Sequence, residues 1–349
     1  MAPSTQQAWK IEGQNSFDSL KFNQKAPVPE VGEKDVLVKL YSASLNYRDL
    51  VIPKGMYPFP LDGDVTPGSD GAGVVEAVGK SVTRFQPGDK VATLFNQGHQ
   101  AGSLNAVSIR TGLGGVLDGT LREYGTFDES GLVSLPKNLD FKEGSTLSCA
   151  ALTAWNALYG LESRALKPGQ WVLTQGTGGV SIFALQFAKA AGAIVIATTS
   201  SQKKAELLKK YGADHVINYN ETPNWGEEAK KLTPGQAGVH HVVEVGGPKT
   251  MAQSLKAIMI DGVIDIIGFI GGEEKNQPTY LETLANICTV RGIFVGSRLQ
   301  MEDMCAAIEA NDIHPIVDEK VFELKDLKEA YQYMWDQKHF GKLTIKIAQ

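Results

Sequence analysis

Val172 to Gly192 reads VLTQGTGGVSIFALQFAKAAG, a short apolar strand, a glycine turn and then an amphipathic helix. This is the strand-turn-helix arrangement that cradles a dinucleotide pyrophosphate. Gly176 permits the tight turn, Gly178 lets the backbone approach the phosphates, and a helix opening at Gly179 aims its unpaired N–H groups and positive dipole end at the anion. Thr177 and Val180 belong to the same phosphate-facing turn, and Ser181 stands where a third glycine usually lies. A Gly-x-Gly turn alone is weak evidence, because strand-to-helix turns use glycine for steric reasons. The next segment strengthens it: Ala193 to Thr199 (AIVIATT) is a second β-branched apolar run, which makes the whole stretch one βαβ unit with parallel strands.

The end of that second strand bears on cofactor choice. An NAD site places Asp or Glu there, roughly 20 residues past the glycines, to accept from the ribose 2′-OH. This chain has Thr198, Thr199, Ser200 and Ser201 instead, with Lys203 and Lys204 behind them. Hydroxyls and lysines neutralise and hydrogen-bond a 2′-phosphate, so NADP(H) is expected. A helix N-cap by Ser200 or Ser201 with solvated lysines is the structural alternative.

With 349 residues the chain exceeds one usual core, so two domains are expected; 42% hydrophobic and 21% charged residues place it among soluble globular proteins. A net charge of −5 without a Lys/Arg run argues against nucleic acid or an anionic membrane as partner, and points to a small-molecule substrate. Cys149, Cys288 and Cys305 are odd in number and far apart, which suggests neither a disulfide framework nor a Cys-x-x-Cys metal site and fits a reducing cytoplasm. No basic leader with an apolar run and no stretch of about 18 apolar residues is present, so neither secretion nor membrane spanning is expected.

The first third alternates Gly and Pro with short β-branched runs at Asp35 to Tyr41, Gly71 to Val78 and Asp89 to Ala92, which reads as a small β-rich domain. From about Lys142 helical stretches alternate with apolar strands: Val172 to Thr174, Ile194 to Thr198, His215 to Ile217, Val239 to Glu244, Gly262 to Ile267 and Ile293 to Val295. Such alternation predicts an α/β fold with a doubly wound parallel sheet. The tail, two helices and a closing KLTIKI strand, either extends that sheet or returns to the first domain. No fixed-period repeat or low-complexity segment occurs.

Taken together, Leu45 to Leu50 (LNYRDL), Pro67 to Gly73 (PGSDGAG), VG at 78–79 with GDKV at 88–91, Ala151 to Trp155 (ALTAW), the GTGGVS turn, Tyr211 to Tyr219 (YGADHVINY) and GKL at 341–343 resemble the medium-chain dehydrogenase/reductase superfamily. Within it, their order and spacing resemble the zinc-free branch around quinone oxidoreductases and alcohol-dehydrogenase-like reductases. The resemblance covers nearly the whole chain. It implies a GroES-like β-rich catalytic domain from 1–137 and 306–349, a Rossmann dinucleotide-binding domain inserted at 138–305, and an active site in the cleft between them. It further implies that Gly246 and Gly247, Gly268 to Ile270 (with Phe269), and Gly296 to Arg298 contact the nicotinamide, with Thr153 near it and Lys342 also at the cofactor. Lys204 and Tyr219 match positions that touch the 2′-phosphate in NADPH-using quinone reductases, and Ser200 of the hydroxyl cluster is a further cofactor candidate. A homodimer formed through the strand at Ile293 to Val295 is implied as well.

Metal enzymes of this superfamily hold zinc with a Cys, a His-Glu pair and a later Cys or Asp. Here Asn46 replaces the first ligand, Ser69 and Asp70 stand in the His-Glu places, and only Cys149 remains at the third. One thiolate with an amide and a hydroxyl is a poor zinc set, so no metal is expected. The structural zinc lobe is also missing: Gln97 to Gly119 contains no cysteine, and its His99 reads as a surface histidine. Without a Lewis acid, reduction of an enone or quinone is favoured over a simple ketone, because the charge spreads into an enolate that a hydrogen bond holds. Asn46 is the expected amide donor, Arg48 falls where zinc enzymes place a proton-relay hydroxyl, and Tyr57 matches a substrate-lining tyrosine that donates a proton or caps the pocket. Each has a structural alternative: Asn46 ties down its loop, Arg48 pairs with Asp49 or Asp70, Tyr57 packs. Competing functions are NADP(H)-dependent alcohol or carbonyl redox and a non-catalytic, crystallin-like or sensing NADPH binder.

Overall fold

Alternating β-branched residues in the first third form strands, as their period requires. The computed structural model describes residues 2–59, 61–268, 271–272 and 274–348. A hairpin of β1 (Thr5–Ile11) and β2 (Leu20–Pro27) leads into β3 (Asp35–Leu45), the short helix α1 (Tyr47–Val51), β4 (Asp70–Val78), β5 (Lys90–Thr93), β6 (Tyr124–Asp128), β7 (Leu132–Ser134) and α2 (Phe141–Gly144). After α3 (Leu152–Tyr159) the pattern changes to β8 (Trp171–Gln175), α4 (Gly179–Ala190), β9 (Ile194–Thr199), α5 (Gln202–Lys210), β10 (His215–Asn218), α6 (Trp225–Leu232), β11 (Val239–Glu244), α7 (Met251–Ala257), β12 (Ile258–Ile266), α8 (Leu281–Asn286) and β13 (Thr289–Gly292). The chain closes with α9 (Arg298–Ala310), β14 (Phe322–Glu323), α10 (Leu327–Trp335) and β15 (Leu343–Lys346).

Two compact units result, one from 1–152 with 296–349, the other from 153–295. Segments 138–152 and 296–305, expected with the nucleotide domain, group with the first unit. In that unit the tail returns: β15 pairs antiparallel with β3, Leu343 opposite Leu45, in a sheet ordered β14-β15-β3-β4-β5-β7 with β6 also on β3. Leu45, Leu50, Leu343 and Ile345 pack there with Tyr331 of α10, all nearly inaccessible. The tail therefore contributes core to the unit that the first third begins, which fixes the end of β3 and the loop after it.

The second unit is a six-stranded sheet ordered β10-β9-β8-β11-β12-β13, all parallel. Both faces of such a sheet are covered by helices, and β8 is accordingly buried at every residue. Sequence order reverses between β8 and β11, and ligands bind beyond the carboxyl ends of strands at such a switch point. The strand expected at 293–295 is instead at Thr289–Gly292. Ile293 adds one further bond to Ile266 O, but Val295 adopts φ 54°, a left-handed turn that ends extended pairing.

Candidate functional site

In the nucleotide unit, β8 ends at Gln175 and the chain turns at Gly176 with φ +74°, held by its N–H on Thr198 O at 2.9 Å. A Cβ added at Gly176 or Gly178 would meet nothing within 4 Å. These glycines therefore face open space, enough for a phosphate to reach the backbone. Gly178 caps α4 without a side-chain bond, so the N-terminal amides around Gly179 and Val180 are available to an anion. Ser181 fills the third-glycine place by donating to Gln175 O at 2.6 Å. The residues thus fit a dinucleotide pyrophosphate.

The turn is braced from beneath by Glu244, which is fully buried at the end of β11. Its carboxylate accepts from Gln175 Nε2 (2.7 Å), from the N–H groups of Gly246 and Gly247 (2.9 Å each), from Thr250 Oγ1 (2.5 Å) and from Ser254 Oγ. Gln175 Oε1 in turn accepts from Val245 and Gly246 N–H at 3.2 Å. Two loops at the switch point are therefore one hydrogen-bonded body. At Gly246 and Gly268 a Cβ would collide with Thr250 and with Val245 O, so internal packing demands these glycines. Thr153 is buried at the start of α3, Gly296 is packed by Leu152 and Gln300, and Phe269 and Ile270 lie outside the described residues.

The polar cluster after β9 is tied together by local bonds. Ser201 caps α5 by accepting from Lys204 N–H at 3.3 Å, Tyr219 N–H bonds Thr199 O at 3.0 Å, and Asn220 Nδ2 donates to Ser200 O at 2.8 Å. Tyr219 is exposed, and Lys204 is half-buried with its pKa lowered by that burial. No acidic side chain among the described residues pairs with Lys204. The cap alternative holds for Ser201, while Lys204 is left as an uncompensated cation beside Ser200 and Tyr219.

In the other unit Asn46 follows the last residue of β3, and its N–H donates to Asp49 Oδ2 at 2.8 Å. Its side chain lies in a buried network. Lys342, 3% exposed, sends its three ammonium protons to Leu45 O (2.9 Å), Asn46 Oδ1 (2.6 Å) and Asp70 Oδ2 (3.1 Å). Asn46 Nδ2 donates to Ser69 Oγ at 3.4 Å, Ser69 Oγ to Asp70 Oδ1 at 2.9 Å, and Ser44 Oγ to Asp70 Oδ2 at 3.0 Å. All three Lys342 bonds lie within this unit, where its ammonium is the counter-charge to Asp70.

Arg48 pairs with Asp49, the structural alternative given for it, and also reaches Tyr57. Nη1 lies 3.5 Å from Asp49 Oδ1 and bonds Leu113 O at 2.9 Å, while Nε donates to Tyr57 Oη at 3.2 Å. The guanidinium also stacks on the Tyr57 and Phe95 rings, 5.0 and 4.7 Å from their centroids. Because Arg48 supplies the proton of its bond to Tyr57, the phenolic O–H keeps its own proton to donate. Burial pushes the Tyr57 phenol up, outweighing the Arg48 charge. Burial likewise pushes Asp49 up to about 6, against the pull of Arg48 and the Asn46 N–H. The loop that takes the place of the zinc lobe thus supplies Leu113 to hold Arg48. His99 is not at the surface: it is buried, its Nε2 on Gly102 O at 2.9 Å.

The zinc that this kind of fold implies does not fit the donor set. Asn46 Oδ1 and Asp70 already accept from the Lys342 ammonium, Ser69 is neutral, and burial together with the Asp70 charge pushes the Cys149 thiol upward, away from thiolate. Among the described residues no group of three or more His, Cys, Asp and Glu is placed to hold a metal ion. The Lys342 contact and the Glu244 brace were missed from sequence; only the buried-charge pattern, a Glu ending an apolar strand, signals the second.

The chain matches the family model described as alcohol dehydrogenase GroES-like domain over residues 32–137 and that described as zinc-binding dehydrogenase over 179–310. It is 49% identical to a zinc-type alcohol dehydrogenase-like protein of Schizosaccharomyces pombe, covering 95% of this chain and 96% of that one. It is 27% identical to a quinone oxidoreductase of Homo sapiens over 90% and 89% of the two chains. A solved structure of an NAD-dependent alcohol dehydrogenase is 31% identical and superposes with a TM-score of 0.86, covering 98% of this chain and all of that one.

Proposed function

From its membership of the medium-chain dehydrogenase/reductase superfamily, an oxidoreductase family to which this chain belongs, we propose that it is an NADPH-dependent reductase that uses no catalytic zinc. Its acceptor is an activated C=C bond, as in an enone or enoyl compound, or a quinone. The observation that carries this reading is the Lys342 ammonium bonded to Asn46 Oδ1 and Asp70 Oδ2, which occupies the acceptors a catalytic metal would need. The likeness to a quinone oxidoreductase supports it.

When bound, the nicotinamide supplies the hydride. The chain's own residues do the rest. The Gly176 and Gly178 turn and the α4 N-terminus take the pyrophosphate, and Lys204, Ser200 and Tyr219 take the 2′-phosphate, where Lys204 has no ion pair among the described residues. Tyr57, held by Arg48, keeps a proton to donate to an enolate or hydroquinone oxygen, and the Arg48 charge stabilises negative charge as it develops there. Lys342 and Asp70 orient the Asn46 amide, whose Nδ2 is the remaining donor.

The second reading, alcohol or carbonyl redox, is favoured by the names of the S. pombe relative and of the NAD-dependent structure. One experiment separates them: NADPH oxidation, measured by absorbance, with a matched enone, quinone and saturated ketone after exhaustive chelation, with NADH as control. Turnover of enone or quinone but not ketone is expected. Ketone turnover abolished by chelation would overturn the zinc-free reading, NADH preference would overturn the cofactor assignment, and binding without turnover would favour a sensing or crystallin-like role.

We further propose a homodimer through the β13 edge, where Ile260, Tyr280, Leu281, Leu284 and Ile287 are exposed apolar residues in or beside the edge elements. Solution scattering at micromolar concentration tests this, a monomer refuting it. None of the three cysteines is in a disulfide among the described residues, which suits a reducing cytoplasm, and no helix among the described residues is long and apolar enough to cross a membrane.

A further inference from the structure

Val295 is a β-branched residue held at φ 54° shortly after the strand that ends the parallel sheet. A valine there is a true outlier, because its branched Cβ crowds the backbone in the left-handed region. Such a conformation persists only where surrounding structure over-determines it. The surroundings supply a clasp: Asn156 Nδ2 of α3 donates to Val295 O at 2.7 Å, and Asn156 Oδ1 accepts from Arg291 Nη2 at 2.8 Å. Arg291, on β13, has its Nε 3.4 Å from Asp265 Oδ1 on the neighbouring β12. Asp265 is fully buried, and neither of its carboxylate oxygens has a hydrogen-bond partner among the described residues. An ionised carboxylate in that position is costly. The four residues thus form one chain, Asp265 to Arg291 to Asn156 to Val295 O, ending on the strained peptide at the carboxyl edge of the sheet.

We propose that Asn156 and Arg291 are positioning residues that hold the backbone at 294–296 in the left-handed turn where it meets the nicotinamide carboxamide, an amide that backbone N–H and C=O groups match. This rests on the NADPH reading. Asn156 gives its amide a single orientation, since Arg291 can only donate and Val295 O can only accept. Without the clasp Val295 relaxes toward a favoured φ and the adjacent peptide plane rotates. The pyrophosphate turn and the 2′-phosphate cluster lie on other loops and are not part of the clasp.

The test compares two probes, NADPH and 2′,5′-ADP, a fragment that carries the 2′-phosphate but no nicotinamide. Binding of each is measured by titration calorimetry with the full chain, and melting temperature is recorded alongside. Asn156→Ala is expected to raise the Kd of NADPH about tenfold (about 1.4 kcal/mol) and leave that of 2′,5′-ADP within twofold. Asn156→Asp, which keeps an acceptor for Arg291 and loses the donor to Val295 O, is expected to show the same split, so a poorly folding alanine variant does not end the test. Adding Val295→Gly to Asn156→Ala restores NADPH binding to within about threefold of wild type, because glycine adopts positive φ without strain. Equal weakening of both probes, or no rescue by Val295→Gly, overturns the positioning role alone. Failure of 2′,5′-ADP to bind the wild type removes the NADPH reading and this inference with it.

Discussion

Replacing Lys342 with methionine tests the arrangement on which the zinc-free reading depends. Methionine keeps much of the side-chain volume and deletes the ammonium. Asp70, fully buried, would keep the Ser69 and Ser44 hydroxyl donors at 2.9 and 3.0 Å but lose its only counter-charge among the described residues, and Asn46 Oδ1 would lose its 2.6 Å partner. Breaking one side of a buried pair costs about 3–5 kcal/mol, because the remaining charge stays desolvated. The two hydroxyls place the expectation at the lower end, about 3 kcal/mol. For a unit of about 200 residues that is a fall in Tm of about 6–12 °C. Asp70→Asn in the same chain removes the uncompensated charge, so the double variant is expected to regain part of the loss, with a coupling of about 1–3 kcal/mol in the cycle. The assay is calorimetric unfolding of all four proteins at neutral pH, in buffer with chelator and again with zinc. A loss under about 1 kcal/mol, strict additivity, or zinc stabilisation of the wild-type chain would refute the reasoning.

Other parts of the site give their own expected outcomes. Lys204→Ala raises the Kd of NADPH about 10- to 100-fold and leaves that of NADH unchanged, as loss of one charge-assisted phosphate contact requires; equal losses for both cofactors would move the 2′-phosphate elsewhere. Tyr57→Phe lowers kcat with an enone or quinone by about 10²-fold at unchanged cofactor affinity, and an unchanged kcat would leave the ring as pocket lining only. Asp265, pushed up to about 8 by burial against the opposing Arg291 charge, is protonated in the folded chain at pH values where the unfolded chain has released the proton. Its folded pKa lies above the unfolded value, so its contribution to stability is full below about pH 4 and is lost as pH rises toward 8. Urea unfolding at pH 5 and 8 is therefore expected to show a fall that Asp265→Asn abolishes, and a variant retaining the full slope would locate the titrating group elsewhere.

Features specified by local chemistry were legible in the sequence. The strand, Gly176 turn and α4 are consecutive, so spacing alone identifies them, and helix and strand alternate in period between 172 and 267 as the parallel sheet demands. The hydroxyls and lysines after β9 were readable for the same reason. The β13 boundary was not, because apolar Ile293 to Val295 reads as strand while the turn at Val295 depends on a bond from Asn156, 139 residues earlier.

Residue pattern alone identifies a glycine turn between strand and helix and the hydroxyls and lysines that follow the next strand, while the replacement of zinc ligands is what the family resemblance implies. The groups that stand in their place are a matter of tertiary contact. Lys342 and Asn46 are 296 residues apart and meet because β15 pairs back onto β3, and Glu244 reaches Gln175 across 69 residues because β11 lies beside β8. Hydrogen bonds and buried charges are satisfied by whichever groups the fold brings within about 3 Å, and no local pattern of residues carries that information.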